Sequence, residues 1–485
     1  MLCRDGRVIT RPGFKPLTTT APTSNRVMGG VYYVNHLGQR RIIIGTTLGF
    51  HLFDGTSWSD ISGPALTSGA GDQVRFGVFP FSNSTKIVAV NDVDAPQVSN
   101  NGAAFAALGG SPPIAKCVTT AFQRMILGNV TVSGTRRASA LWISGFQSET
   151  DWSSTREVNL TDTQDSIVEA KSLNSQMFAI YKDHSQWVGI GAGGLFPFVF
   201  ELRDQQPGPV APAAVVQAEN DHYYVGQDGD VYRFDGNRCV AIGGAARRLI
   251  QADLDQANLG RTHGFYDPTN REIWWLWPSY KSNLAVDGIV YRLPYEDVPA
   301  AFSPLMVYGL LITASVGWRD TATFGWNDLT GTWDALGTDY PTWDDFPNVG
   351  RIGALLGMST GVVHRFAGSA NDNGSSFDAY FDLPFRAVAG VGENVRVDAI
   401  ESFFKRMNTS PTVQIILLTS DTMGSEGTAV TAQTIDTTEA ATTKHRATYA
   451  DQQARFVAIR HRLLTITSQQ EYRGGVLYAF RRGEQ

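Results

Sequence analysis

Three stretches of this chain share one phrase, and that phrase restricts the fold more than any other feature. Ile42 to Gly55 reads IIIGTTLGFHLFDG, Tyr223 to Gly236 reads YYVGQDGDVYRFDG, and Leu355 to Gly368 reads LLGMSTGVVHRFAG. Each is a short apolar run, a glycine, a turn of Gly, Asp, Ser or Thr, and an alternating run that closes on Phe, then Asp or Ala, then Gly. Alternation sends every second side chain to one face of a strand, so each phrase specifies a hairpin with a buried side. Gly49 and Gly229 are expected to supply the positive φ of the tight turns. Looser strand pairs lie at 84–92 (STKIVAVND), 122–132 (FQRMILGNVTV), 176–190 (QMFAIYKDHSQWVGI) and 271–278 (REIWWLWP).

From Gly45 to Gly226 to Gly357 the spacings are 181 and 131 residues. They are close to four and three units of about 45 residues, the length of a four-stranded propeller blade. A chain of 485 residues exceeds the roughly 250–300 residues that one hydrophobic core can serve, and a repeated unit removes that difficulty. Glycine, at 49 residues, is above its usual share of about 7%, which suits short strands joined by tight turns. Helical periodicity is confined to Ala245–Leu259 (AARRLIQADLDQANL), with Gly260 as its stop. The expected fold is therefore all-β: a β-propeller of six blades, with seven also allowed by the spacing, spanning residues 1–386 with a small helical insertion near 245–260.

After Phe385 the texture changes. Val395, Val397 and Ala399 alternate, as do Val413, Ile415 and Leu417, and another strand region covers Phe456 to Ile466. Residues 387–485 are read as a β-sandwich-like platform domain. Val298–Trp318 (VPAAFSPLMVYGLLITASVGW) carries no charge and has the length of a membrane span, but Pro299, Pro304, Gly309 and Gly317 interrupt it. It is read as buried strands with an extended loop near 298–318, not as a stable membrane insertion.

The net charge of −6 is spread along the chain, with no basic block for wrapping nucleic acid. Cys3, Cys117 and Cys239 are too few and too scattered for a disulfide framework, which points to a reducing compartment. The N-terminal MLCRDGRVITRPGFKP lacks the apolar core of a secretory signal, so Asn83-Ser84-Thr85 and Asn129-Val130-Thr131 carry little weight as glycan acceptors.

Two sharp motifs fall on turns. Gly357-Met358-Ser359-Thr360-Gly361 matches the nucleophile elbow, which needs a helix after the serine, yet the strand-like VVHRF follows. Gly189-Ile190-Gly191-Ala192-Gly193-Gly194 fits a dinucleotide fingerprint, which also needs a helix, yet LFPFVFELR follows. Asp221, Asp228 and Asp230 lack the spacing of a calcium loop. His445 and His461 are too far apart for a single-helix metal pair. Phe324–Phe346 (FGWNDLTGTWDALGTDYPTWDDF) repeats Trp326-Asn327, Trp333-Asp334 and Trp343-Asp344, and holds Asp328, Asp339 and Asp345 as well. An acid pair for glycoside cleavage or a sugar-binding aromatic surface competes there with a Trp–Asp turn that caps backbone N–H groups. The stretch departs from the sialidase Asp-box, and the related phrase at Thr56–Ile61 favours architecture. No catalytic, cofactor-binding or metal-ligating residue is assigned, and the chain is expected not to be an enzyme.

The order of phrases carries a resemblance. Arg11–Phe14 (RPGF), FDGTSWSDIS at 53–62, VNDVDAPQV at 90–98, QRMILGN at 123–129 and ALWISGFQSETDWS at 140–153 come first. GPVAPAAVVQAENDHYYVGQDGDVYRFDGNRCVAIG at 208–242 and FYDPTNREIWWLWP at 265–278 follow, with RFVAIRHRLLTITSQQEYRGGVLYAFRRG at 455–483 closing the series. This series resembles the tail hub, or nozzle, proteins of short-tailed bacteriophages. The resemblance implies a propeller on a β-rich platform, assembled as a ring, usually a homohexamer, below the portal and adaptor. It implies a virion tail component, assembled in the host cytoplasm, that seals the DNA channel and conducts the genome during ejection. Its implied partners are copies of itself, the head-to-tail connector (adaptor) protein, tail fibre or needle proteins, and double-stranded DNA passing non-specifically through the lumen. The short stretch before RPGF implies that any N-terminal arm is short. A mildly acidic lumen would let phosphates slide, and loops such as 304–317 are expected to narrow the channel. The alternatives are a carbohydrate-binding or carbohydrate-cleaving propeller and a monomeric cytoplasmic scaffold.

Overall fold

Short alternating strands with tight turns pair with their sequence neighbours, and the computed structural model gathers them into seven four-stranded antiparallel sheets and two five-stranded ones. The structure describes the chain outside residues 193–196, 280–285, 295–299, 308–311, 320–351, 370–376, 388–394, 406–411, 421–427, 430–432, 436–443, 467–470 and 482–485. Residues 1, 5–6, 10, 68, 70–72, 82, 154–155, 175, 245 and 455 also lie outside the description.

The chain opens with β1 (Leu2–Arg4), β2 (Arg7–Ile9) and β3 (Gly13–Pro16). Blade one is β4 (Val27–Val34), β5 (Arg40–Thr46), β6 (Phe50–Phe53) and β7 (Trp58–Asp60). Blade two is β8 (Arg75–Pro80), β9 (Thr85–Val90), β10 (Gln97–Asn100) and β11 (Ala106–Ala107). Blade three is β12 (Ile114–Ala121), β13 (Arg124–Val132), β14 (Thr135–Ile143) and β15 (Glu157–Asn159). Blade four is β16 (Ile167–Ser172), β17 (Met177–Lys182), β18 (Gln186–Gly191) and β19 (Phe198–Asp204). Blade five is β20 (Val216–Ala218), β21 (Asp221–Val225), β22 (Val231–Phe234) and β23 (Cys239–Ala241). The helix α1 (Ala246–Asp253) leads to blade six: β24 (His263–Asp267), β25 (Glu272–Pro278), β26 (Val286–Arg292) and β27 (Ala301–Val307). Blade seven takes β28 (Ile312–Arg319), β29 (Ile352–Met358) and β30 (Val363–Ser369), and its fourth strand is β3 from the other end of the chain.

The first strands touch around a closed circuit, with β28 on β4, β4 on β8, β8 on β12, β12 on β16, β20 on β24 and β24 on β28. Gln217 Nε2 on β20 joins the remaining pair by donating to Leu173 O just after β16, at 3.2 Å. This is a seven-bladed propeller.

Its core is a set of interfaces between blades, not one centre. Ile273, Trp275 and Trp277 pack towards blade five, while Trp274 and Leu276 on the same strand pack towards blade seven. Ile43 faces blade two, and Ile42 and Ile44 face blade seven. Phe178 and Ile180 face blade three, and Ala179 and Tyr181 face blade five. Runs such as IIIG and WWLW are apolar at every position because both faces of a middle strand are covered. Each blade adds its own interface, so chain length is not limited by a single core.

The three sequence phrases are β5–β6, β21–β22 and β29–β30, the middle strands of blades one, five and seven. The spacing of 181 residues does span four blades, but the spacing of 131 spans two and not three. Residues 320–351, between β28 and β29, lengthen the last blade. Gly229 has the expected φ of +76°. Gly49 serves by close approach instead, since a Cβ there would lie 2.1 Å from Ser62 Oγ. The closing Phe-Asp-Gly is a capped turn: Asp54 Oδ1 accepts from the N–H groups of Thr56 and Ser57, and Asp235 Oδ1 accepts from those of Asn237 and Arg238. Gly55 and Gly236 follow with φ of +110° and +93°.

The remaining strands are β31 (Phe377–Ala387), β32 (Val395–Lys405), β33 (Thr412–Ser420), β34 (Thr428–Ala429), β35 (Gln433–Ile435), β36 (Lys444–Ala454), β37 (Phe456–Ile466) and β38 (Glu471–Arg481). One sheet runs β1-β2-β38-β32-β36, and the other runs β31-β37-β33-β34 with β35 also on β33. Val397, Ile400, Ala447 and Tyr449 of the first sheet meet Ile415, Leu417, Val457 and Ile459 of the second.

Three boundaries differ from the sequence reading. Residues 2–9 belong with the platform, because Val8 and Ile9 pair with Tyr472 and Glu471. The platform resumes at Phe377, where β31 begins to pair with β37. The propeller is thus inserted within the platform rather than placed before it. The helical insertion is α1 followed by a 3₁₀ turn, Gln256–Arg261, which Asp255 caps and which runs through Gly260. Within the uncharged stretch 298–318, Ala301–Val307 is β27, which closes blade six, and β28 from Ile312 opens blade seven, while residues 295–299 and 308–311 lie outside the described residues. Pro304 is placed on the outer strand, where a missing N–H is tolerated. Among the described residues, no helix is long and apolar enough to cross a membrane.

Candidate functional site

Each four-stranded meander returns the chain to the end from which it started, so all seven first strands begin at one end of the axis. This entry end also carries α1, the 3₁₀ turn and the turns between second and third strands. At the opposite end β3 begins and β30 ends. The axis and its two ends are the natural places for function in a toroid.

The first strands are mostly apolar, so their charged residues stand out. Arg75 on β8 pairs through Nη2 with Glu169 on β16, reaching past the whole of blade three. Glu169 is 1% exposed. Two residues on, Lys171 Nζ donates to Val215 O of blade five at 2.7 Å. Burial, helped by the Arg75 charge and opposed by Glu169, lowers the Lys171 pKa to about 8. Burial raises the Cys117 thiol, so it stays protonated and inert as a nucleophile. Blades are also stitched by hydroxyl groups: Thr120 Oγ1 donates to Val78 O, Ser315 Oγ to Gly264 O and Thr313 Oγ1 to Val27 O. Among the described side chains of the first strands, Arg75, Lys116 and Lys171 stand against Glu169 and Asp267, so these strands carry charges of both signs.

Other buried polar groups are structural ties. Lys182, fully buried, donates to Leu160 O at 2.9 Å and Thr163 O at 2.8 Å and pairs with Asp165 at 2.7 Å. Tyr181 Oη meets His222 Nδ1 at 2.8 Å, and His222 Nε2 lies 3.0 Å from Ser172 O. Burial, with the Lys171 charge, lowers the His222 pKa to about 3. Ser402 Oγ and His461 Nε2 are 2.6 Å apart, a geometry that serine nucleophiles use. Both are fully buried between the two platform sheets, with Phe381 stacked on the imidazole and Tyr472 beside it. A substrate has no approach, and the pair ties β32 to β37.

The motifs weighed in the sequence resolve as turns and caps. Gly357–Gly361 spans the β29–β30 turn, with Gly361 at φ +81°. Gly189 and Gly191 lie on β18, and the strand β19, not a helix, follows; Gly193 and Gly194 lie outside the described residues. Asp228 accepts from Asp230 N and Tyr232 Oη, and Asp230 accepts from Val231 N and Gly243 N. Arg247 of α1 pairs with both carboxylates, and Asp221 pairs with Arg233. Asn129 is buried and donates to Ile167 O at 2.6 Å, so its sequon is internal. His445 and His461 lie on β36 and β37. Cys117 and Cys239 are free and buried. The Trp–Asp stretch 324–346 lies outside the described residues. Among the described residues, no group of three metal-ligating side chains gathers.

The sequence reading passed over Arg75, Glu169, Lys171 and Ser402, and weighed His461 only as a metal ligand. The signal for Glu169 and Lys171 was present, as two charges within one short strand (IVEAKS) otherwise built for burial. Ser402 and His461 had no local signal, since they meet only when two sheets pack.

No protein-family model matches the chain, and no curated protein matches it either. Solved structures give distant likenesses. A BBS1N chain in complex with ARL6DN aligns at 10% identity and TM-score 0.40, covering 74% of this chain and 97% of that one. A six-bladed fucose-recognising lectin of Aleuria aurantia aligns at 11% and 0.31, over 60% and 98%. A fungal alcohol oxidase of the AA5 family, in complex with copper, aligns at 8% and 0.41, over 97% and 99%. None of these bears on what this chain binds or does, and the propeller stands on its own strand pairing.

Proposed function

We propose that this chain is a structural component of a short-tailed bacteriophage tail: the hub, or nozzle, ring below the portal and adaptor, which seals the DNA channel and conducts the genome during ejection. One observation supports the reading beyond the order of sequence phrases. The propeller is an insertion in a β-platform that holds both ends of the chain in one sheet, β2 beside β38. A platform of eleven-residue strands tied twice to a rigid toroid suits repeated side-to-side contacts closing a ring. DNA would then pass through the lumen of the ring and not through a propeller axis. Partners in this reading are further copies of the chain, the adaptor ring and the tail fibre or needle proteins.

Native mass measurement of the purified chain, alone and with its adaptor ring, tests the reading. The expected result is a closed particle of about six chains of 52.8 kDa; a 52.8 kDa monomer under both conditions contradicts it. The carbohydrate reading rests on the tryptophan-rich stretch 324–346. Glycan-array binding that Trp333→Ala abolishes, without any ring, would replace the hub reading with it.

A further inference from the structure

Arg75 opens β8 and Lys116 is the third residue of β12, the first strands of blades two and three. The two strands run side by side from the entry end. A Cβ on Gly77 would lie 2.8 Å from Val118 Cγ2, and Thr120 Oγ1 donates to Val78 O at 3.0 Å. Gly77 and Val118 therefore face each other. Alternation gives Arg75 and Lys116, each two residues earlier, the next facing positions towards the entry end. Glu169 joins them from blade four through its contact with Arg75 Nη2, and Lys171 follows two residues along the same strand. The charges of Glu169, Lys116 and Arg75 all act on the buried Cys117 thiol, in keeping with this placement.

Three cations thus stand against one carboxylate. Arg75 has Glu169, and Lys171 Nζ donates to Val215 O at 2.7 Å. Lys116 has neither kind of partner. It is half-buried, and among the described residues no hydrogen bond or ion pair reaches its ammonium group. Arg75 adds a second observation, because its Nε is shielded from solvent and makes no hydrogen bond. Donors and charges removed from water normally find an acceptor or a counter-charge. The same propeller supplies the contrast: Lys182 is given Leu160 O, Thr163 O and the Asp165 carboxylate. At Lys116 and Arg75 Nε the chain leaves the acceptor to come from outside.

We propose that the interface between blades two and three, where it meets the axis, binds one small monovalent anion of the halide class, held by the Lys116 ammonium and the Arg75 Nε–H that Glu169 leaves unused. One negative charge matches the one cation that has no counter-charge. A monatomic ion can reach an enclosed N–H that a bulkier oxyanion would not. The apolar walls of the first strands strengthen the attraction, since they keep out the water that would screen it. Glu169 limits the site to a single charge, because a second would meet its carboxylate. The site does not depend on the ring reading, because every residue in it belongs to one chain.

Urea unfolding of the full chain in sodium chloride, balanced with sodium gluconate to constant ionic strength, tests the proposal. An ion that binds only the folded chain raises the midpoint with its concentration. The wild-type midpoint should therefore rise as chloride replaces gluconate and then level off, with bromide acting like chloride. Lys116→Gln should weaken this response at least tenfold. In gluconate alone its midpoint should equal or exceed that of the wild type, because the substitution removes a cation that has no counter-charge. Glu169→Gln should shift the response the other way, to lower chloride. A wild-type midpoint that is the same in chloride and gluconate overturns the proposal, and so does a saturable chloride response that Lys116→Gln retains in full.

Discussion

His222 and His263 are buried in the propeller as neutral imidazoles. Burial, joined for His222 by the Lys171 charge, lowers their pKa from 6.5 to about 3 and about 4. The unfolded chain binds these protons near pH 6.5 and the folded chain does not. Stability therefore holds above that pH and falls as the pH drops towards the folded values. By pH 5 each histidine removes about 2 kcal/mol, at 1.36 kcal/mol per pH unit. The carboxylates held low by capping, such as Asp54 and Asp235, act only below the ordinary value of 3.8, so the two effects occupy separate windows. Urea unfolding midpoints measured from pH 7.5 to 5 should fall steadily, and His263→Gln should flatten the fall. A wild-type profile flat across that range contradicts the burial of these groups. Neither histidine was legible as buried in the sequence, since His222 stands beside Asp221 and its cover comes from blade four, 41 residues earlier, through Tyr181.

At the scale of the element, hairpins were legible because their information is local. Alternation, a turn glycine and a capping Asp all fall within fourteen residues, and the three phrases are the middle strands of three blades. The blade count was less accessible, because residues 320–351 stretch one blade and disguise two units as three. Least legible were the strands that pair across the whole chain. Gly13–Pro16 is four residues long, contains a proline, and finds its partner more than 345 residues later, at Phe366 for Phe14. Phe14 is 1% exposed within the interface between blades six and seven, edge-on to His364 at 5.3 Å. Phe14→Ala should destabilise the propeller by about 3–5 kcal/mol, the usual effect of emptying a buried phenylalanine site, because it also loosens the closing strand. Denaturant unfolding of the variant checks this, and a loss below about 1 kcal/mol would mean that β3 does not close blade seven.

For the molecule as a whole, one arrangement explains its length, its apolar runs and its scattered charges. Seven interfaces between blades replace one core, middle strands are apolar on both faces, and charged residues are left to the axis, the turns and the rim. The same arrangement places both chain ends in the platform, so the propeller folds as an insertion and cannot be separated by a single cut near residue 386. The proposed ring adds a level that a single chain does not display, and the platform is the part that gives it a surface. Electron cryo-microscopy of the purified chain tests the arrangement most directly. The map should show a seven-bladed toroid whose last blade takes its outer strand from residues 13–16, joined to a two-sheet platform in which residues 7–9 run beside β38. A toroid of six or eight blades, or an N-terminal strand placed elsewhere, would contradict it.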